Sequence, residues 1–453
     1  MRPTRRAALP AALAALALTV TGCATDARTT GDGRTVIQYW MWDSTQMPGY
    51  NQCAEDFEAD NPDIDVQIEQ YGWDDYWTKL TAGMVAENAP DVFVDHSAQF
   101  GKFVSLGQIL DLEPYIDEAG VDLDQYQEGL ADLWIGPDGT GRYGLPKDWD
   151  TVGIYYNTEL AEAAGYSAED LWELEWNPDD GGTFEEFLAA MTIDENGVRG
   201  NEPGFDKDNV DVYGMGYNEA GGGYGQVQWS AYALSNDWTY ADQNPWGTRF
   251  NYDDPRFVET IAWWRSLVEK GYMPSLAAAT SGVGTTDALA AGGYASLIEG
   301  SWNARTIREL GGVETQVAPT PVGPSGQRAS VFNGLSDAIW SGSPNPDEAW
   351  RWVEHLGSAD CQDVMAESGV IFPAITTATD RAVEVYEEAG TDAAAFAVHV
   401  REGTTVTSPV SARWAELTSV MAPAMDAVLS FQTEPESLAR ANERVNALFG
   451  SEE

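Results

Sequence analysis

Apolar and polar positions along the chain switch between two periods. Val36-Ile-Gln-Tyr-Trp-Met-Trp42 is an unbroken, aromatic-rich run that predicts a buried strand. From Pro48 to Ala59 the period lengthens, placing Tyr50, Cys53, Ala54 and Phe57 on one helical face before Asn61-Pro62-Asp63 ends it. Ile64 to Glu69 alternates as a second strand. Asp74 to Glu87 predicts a second helix, with Trp77, Leu80 and Met84 at helical spacing. Pro90-Asp91 leads into a third short strand, Val92-Phe-Val94. This βαβαβ alternation predicts a mainly parallel, doubly wound sheet. Open α/β sheets bind ligands outside the carboxyl ends of their strands. Those ends carry Trp42-Asp43, Tyr71-Gly72-Trp73 and Asp95-His96.

Further on, Tyr143-Gly-Leu-Pro-Lys-Asp-Trp-Asp150 is a candidate crossing, followed by a strand from Val152 to Tyr156 and a helix from Asn157. Thr183-Phe-Glu-Glu186 spells a capping box. Residues 210–238 are rich in Gly, Tyr and Trp, and a helix bearing Trp263 and Trp264 ends near Lys270-Gly271. A strand from Tyr294 to Ile298 runs into Glu299-Gly-Ser-Trp-Asn303. A Pro/Gly-rich linker at 319–326 precedes a strand from Val331 to Trp340. Asn345-Pro346 opens a helix through Leu356 with proline at its first position, and the C-terminal segment is helical to near Phe449. No internal repeat is seen.

The first residues follow a different logic. Met-Arg-Pro-Thr-Arg-Arg precedes an apolar run from Ala7 to Val20, the pattern of an export signal over residues 1–22. That run falls short of the roughly 20 apolar residues a transmembrane helix needs. Val20-Thr21-Gly22-Cys23 resembles a bacterial lipobox, which implies cleavage before Cys23 and a lipid on its sulfur; an ordinary signal with a chance thiol is the plainer alternative. Thr4-Arg5-Arg6 also resembles a weak twin-arginine signal. Residues 23–35 are small and polar and read as a flexible tether. Such a chain sits on the outer face of the cytoplasmic membrane.

Composition narrows the partners. The 73 acidic residues outweigh 24 basic ones for a net charge of −49, which argues against nucleic acid and anionic lipid headgroups as partners. The 453-residue chain exceeds one typical core and suggests two domains. Besides Cys23 only Cys53 and Cys361 remain, which an oxidising compartment would join in one disulfide; two buried thiols are the alternative. With His96, His355 and His399 the only histidines, a His-rich metal centre is not expected. Asp206-Lys-Asp208-Asn-Val-Asp211 lacks the spacing and closing Glu of a calcium loop and reads as a solvated acidic turn. No cofactor motif appears, and Gly214-x-Gly216 lacks the strand-to-helix setting of a dinucleotide loop.

The ordered cues Pro90-Asp91-Val92, Tyr143-Gly-Leu-Pro146, Tyr156-Asn157, Thr183-Phe-Glu-Glu-Phe187, Glu299-Gly-Ser-Trp302 and Phe332-Asn-Gly-Leu335 give a family likeness. From residue 35 onward the chain resembles the bacterial extracellular solute-binding proteins of family 1, the carbohydrate type that is maltose-binding-protein-like. The resemblance implies an α/β, two-lobed fold of type II with three interlobe crossings and a ligand cleft. Lobe one would be 36–148 and 329–372; lobe two would be 149–328 and 373–453. Cys53 and Cys361 would both fall in lobe one. The implied function is that of a monomeric binding protein, not an enzyme. It would deliver sugar to the permease subunits of an ABC importer.

A sugar site stacks aromatic faces on pyranose C–H surfaces and satisfies hydroxyls with planar polar groups. The resemblance places a stacking role on Trp302 and on Trp414, and an acidic ligand at Asp150. The strand-end argument adds Trp42, Asp43, Asp95 and His96. Tyr224 and Trp229 come from the Gly-rich loop, and Asn333 from beside a crossing. Arg413 reads better as a surface ion pair. Two other classes compete: a secreted glycoside hydrolase, whose paired carboxylates would also suit an aromatic cleft, and a polyamine or peptide binder of the same fold.

Overall fold

The computed structural model describes residues 28–218 and 225–450. The leader, Cys23, the start of the tether and Tyr224 lie outside these described residues.

The described strands are β1 (Thr35–Met41), β2 (Ile64–Gln70), β3 (Val92–His96), β4 (Leu145–Asp150), β5 (Val152–Asn157), β6 (Ile193–Asp194), β7 (Val210–Val212), β8 (Ser296–Gly300), β9 (Thr315–Ala318), β10 (Ser330–Ile339), β11 (Phe372–Pro373) and β12 (Thr405–Thr407). One lobe is built on the sheet β11-β4-β10-β3-β1-β2, with β12 added alongside β10. The other is built on β8-β5-β9. Strands β4 and β5 are separated by Thr151 alone, so the chain passes from one sheet to the other within one fully buried residue.

The first sheet is mixed rather than mainly parallel. β1 runs parallel to β2 and β3, but β10 lies antiparallel to both β3 and β4. The reason is connectivity. β10 enters from the second lobe, where Ser330 Oγ accepts from the Val152 amide at 2.9 Å, so it crosses the sheet against the direction of its neighbours. In the second sheet β5 is antiparallel to β8 and to β9. β5 there runs close beneath its neighbour: a Cβ on Gly153 would meet Val317 Cγ2 at 2.7 Å and the Ala318 carbonyl at 3.0 Å.

Local signals explain most elements. The helix Met47–Asp60 takes Pro48 in its first turn and buries Tyr50, Cys53, Ala54 and Phe57, while Asn61 closes it. The helix Trp73–Val85 buries Tyr76, Leu80 and Met84, and Trp77 stands at the margin of that stripe. Two expectations need correction. The helix Gly182–Met191 is capped by Gly181 with no side-chain bond, so Thr183 is not an N-cap. Thr183 already lies in the first turn, and its hydroxyl accepts from the Glu175 amide at 2.8 Å. The expected tether also ends early. Thr30 and Arg34 close a turn that packs on β1, the Val36 amide donates to the Arg28 carbonyl, and Arg34 pairs with Glu58 and Asp65.

Cys53 and Cys361 are joined in a disulfide 308 residues apart in sequence, linking Met47–Asp60 to the helix Ala359–Ser368. Both residues lie in the core of the first lobe, with Tyr39, Phe57, Trp352 and Met365 in the same cluster. We predict that the double substitution Cys53→Ala, Cys361→Ala costs about 2–4 kcal/mol. Urea unfolding of the two proteins under non-reducing conditions checks this; identical midpoints would show that the bridge constrains nothing.

Candidate ligand-binding site

The first polar group of interest sits just before the interlobe crossing. Every residue of β4 is buried, including Lys147, Asp148 and Asp150. Lys147 Nζ lies 2.7 Å from Asp148 Oδ2, donates to Gln46 Oε1 at 2.7 Å, and stands 4.5 Å over the Tyr50 ring. Gln46 Nε2 in turn donates to Asp43 Oδ2 at 3.1 Å, and Thr45 supplies two more donors to Asp43 Oδ1. A hydrogen-bonded chain thus runs from the end of β1 to β4. Burial lifts the Asp148 carboxyl and the ammonium beside it pulls it back, while the surrounding carboxylates hold Lys147 charged. Asp148 Oδ1 is buried and has no partner among the described residues. So is the Tyr386 hydroxyl, which feels Asp150, Asp43 and Asp148.

Asp150 is the hinge-side member. Burial first, and then the Asp148 charge, push it up to about 8, against the bond it accepts from Ser301 Oγ at 2.8 Å. Ser301 belongs to the turn after β8, and its amide donates to the Thr151 carbonyl. Asn333 faces Asp150 across the β4–β10 pair and is buried with it. On the second lobe, Glu299 is raised by burial and held by Asn218 Nδ2 at 2.6 Å and the Gly300 amide at 2.7 Å. Trp302 is half-buried and folds back over Gly300, where a Cβ would fall 2.0 Å from the indole.

An aromatic wall stands on the first lobe. Trp42, at the end of β1, packs against Trp73 at 5.1 Å and lies 6.4 Å from His96. His96 Nδ1 accepts from the Ala98 amide at 3.1 Å, capping the helix Ser97–Ser105. Burial lowers its pKa to about 4, so the ring is neutral and, with Nδ1 accepting, its proton sits on Nε2.

The structure therefore brings Asp43, Asp150 and Asn333 together at the crossing, Trp42 and His96 at the sheet edge, and Trp302 on the facing lobe. Trp414 opens the helix Trp414–Leu429 and is 8% exposed, mostly within the second lobe's core. Two expected residues are elsewhere. Asp95 is fully buried, because both faces of β3 are covered; it shares the face of Phe93, in the core region that also holds Phe100 and Phe103. Trp229 is a core residue packed on Phe257 at 5.0 Å and Trp238 at 5.9 Å. Sequence reading missed Lys147, Asp148, Glu299 and Ser301. Charged residues spelled Lys-Asp-x-Asp inside an otherwise apolar crossing were the available signal. The acidic turn at 206–211 uses its carboxylates internally, Asp206 accepting from Asn209 and Asp208. Among the described residues no group of three or more His, Cys, Asp or Glu could hold a metal ion, and no helix is long and apolar enough to cross a membrane.

Residues 52–397 match the family described as bacterial extracellular solute-binding protein. The chain belongs to that family. Among its relatives, the maltodextrin-binding protein MdxE of Bacillus subtilis is 24% identical over 358 residues, 79% of this chain and 77% of that one. The solved structure of the ABC substrate-binding protein Lmo0181 from Listeria monocytogenes, in complex with cycloalternan, is similar with a TM-score of 0.76 and 20% identity, covering 92% of this chain and 99% of that one. The crystal structure of M. tuberculosis UspC gives 0.72 at 23% identity, over 91% and 99%. These likenesses establish the two-lobed fold of this solute-binding protein.

Its buried acids make stability depend on pH. Asp95 and Asp150 lie at about 8 and Asp337 at about 7, all chiefly through burial. An unfolded Asp titrates near ~3.9. Below that value the folded state has its full advantage; as pH rises through the folded values, it is lost, because the folded chain keeps protons the unfolded chain has released. Below about pH 6.5 the buried neutral His96 and His399, whose pKa values burial lowers, offset this trend, so we predict that the ligand-free protein unfolds at lower temperature as pH rises from about 6.5 to about 8. Asp95→Asn should remove roughly a third of that slope. Differential scanning fluorimetry across pH checks both; a flat profile would show that the three carboxyls are not protonated in the fold. Separately, Lys147→Met should cost about 3–5 kcal/mol by urea unfolding, since it strands Asp148; a loss under 1 kcal/mol, roughly that of a surface pair, would remove the ammonium from its central place.

Proposed function

We propose that this protein captures a carbohydrate in the cleft between its lobes and hands it to the permease subunits of an ABC importer. The observation that carries this reading is the meeting of Asp43, Asp150, Asn333 and Ser301 at the crossing with aromatic rings on both sides, Trp42 and His96 on one lobe and Trp302 on the other. Carboxylate and amide oxygens accept sugar hydroxyls, and indole faces cover the C–H surfaces between them. Support also comes from MdxE, named for maltodextrin, and from Lmo0181, solved with cycloalternan.

In this reading the expected bounds of 36–148 with 329–372 for lobe one and 149–328 with 373–453 for lobe two hold with the first crossing moved to Thr151, so that all of β4 stays in lobe one, and the lobes rock about the short β4–β5 link and β10. Cys23 carries the lipid that keeps the monomer on the outer face of the membrane, close to its permease. The protein binds and releases without cleaving: Asp148, one of the acids beside the cleft, is committed to Lys147 rather than poised as a base or nucleophile.

A thermal-shift screen of mono- and oligosaccharides against polyamines and peptides tests the ligand class. We expect a stabilising shift with a sugar; a shift with spermidine and none with any sugar would overturn the reading. Trp302→Ala should weaken sugar binding about tenfold or more while leaving the unfolding temperature of the free protein near wild type. Release of reducing ends during long incubation with the bound sugar would favour a hydrolase instead.

A further inference from the structure

Trp73 is the one tryptophan among the strongly exposed large hydrophobic side chains of the described residues, at 47%. An indole left in water forgoes a large apolar burial, so its position calls for a reason. It is not loose. Its ring meets Trp42 at 5.1 Å, Trp77 at 5.4 Å and His96 at 5.6 Å, all edge-to-face, with interplanar angles of 80–89°. Three such contacts hold the indole while leaving apolar surface open. A ring fixed in advance costs little ordering when something stacks on it.

Its place along the sheet edge matters. Trp73 is the first residue of the helix after β2, and its ring leans toward the ends of β1 and β3. Asp150 ends β4. In the sheet order β4-β10-β3-β1, three steps separate β4 from β1. At about 4.8 Å per step these strands lie about 14 Å apart, and a hexopyranose in a glycan chain advances about 5 Å, so about three units bridge the two places. A single sugar held at Asp150 does not reach Trp73.

Resting on the carbohydrate reading above, we infer that Trp73 forms an aromatic subsite for the far end of the ligand, and that the ligand is a linear oligosaccharide of about three or more units. Asp150, Ser301 and Asn333 hold one end by hydrogen bonds; Trp73 holds the other by stacking, with Trp42 and His96 behind it.

The test is calorimetric titration of the wild-type protein, Trp73→Ala and Trp73→Phe with malto-, cello- and manno-oligosaccharides of increasing length. For the wild type, affinity should rise about tenfold or more between the disaccharide and the tetrasaccharide of the series that binds. Trp73→Ala should lose most of that rise and keep its disaccharide affinity within about twofold, and Trp73→Phe should retain most of the rise. Because the ring is half in solvent but meets three aromatic neighbours, the free variants should stay folded and unfold within a few degrees of the wild type. An equal rise with length in Trp73→Ala, or a monosaccharide bound as tightly as the longer chains, overturns the inference while leaving the carbohydrate reading standing. Failure of every sugar to bind the wild type overturns both.

Discussion

The ion pair between Lys147 and Asp148 is the interaction on which the rest of the site depends. Two charges buried in a strand are costly to desolvate, and the structure offsets that cost by surrounding them: Gln46 accepts from the ammonium, the Tyr50 face lies under it, and the Asp337 carboxyl, itself bonded to the Tyr39 hydroxyl at 2.7 Å, lies near enough to favour the charged ammonium as it ionises. The arrangement joins three elements that are far apart in the chain. It draws the start of Met47–Asp60 against β4, fixes the turn after β1 through Gln46 and Asp43, and sets the end of β4 where the chain leaves the lobe.

Asp150 inherits its character from this setting. It lies two residues beyond the pair on the same buried strand, close enough to Asp148 for like charge to reinforce the effect of burial. Among the described residues it is tied to the other lobe by a serine hydroxyl, that of Ser301. In the proposed carbohydrate reading, this carboxyl, the Asp148 oxygen and the Tyr386 hydroxyl, the last two without a partner among the described residues, are where a ligand's hydroxyl groups would find partners. The polar half of the cleft is therefore set by the packing of lobe one, and the facing lobe contributes the Gly300-Ser301-Trp302 turn.

The aromatic residues divide by location in a way that composition does not reveal. Trp229, Trp238, Trp263 and Trp264 fill the second lobe's core, whereas Trp42 and Trp73 gather at strand ends and Trp302 covers a turn. Strand ends were readable for β1 and β2, so Trp42 and Asp43 were found at the edge. The same reading misled at β3, where strand pairing continues through His96 and both faces are covered, so that Asp95 lies inside. It was silent at β4, where both faces are covered and no alternation survives. The capping signal at Thr183 failed for a similar reason: contact with Glu175 starts the helix earlier, at a glycine.

By itself the sequence determined the local elements, since apolar period, proline and glycine act within a few residues: the helices beginning at Met47 and Pro346, the strands β1 and β10, and the strand ends that carry Trp42 and His96. The order of its motifs also pointed to the family and hence to two lobes. Only the tertiary structure decided the reversed direction of β10, the burial of Asp95 and Trp229, and the union of Lys147, Asp148, Gln46 and Asp43 in one network. Those outcomes turn on which faces meet across separations of about a hundred residues or more, as between Gln46 and Lys147. A hydrophobic period reports that a face is covered, but not by what, and a charge in a strand becomes part of a site only when the fold supplies its partner.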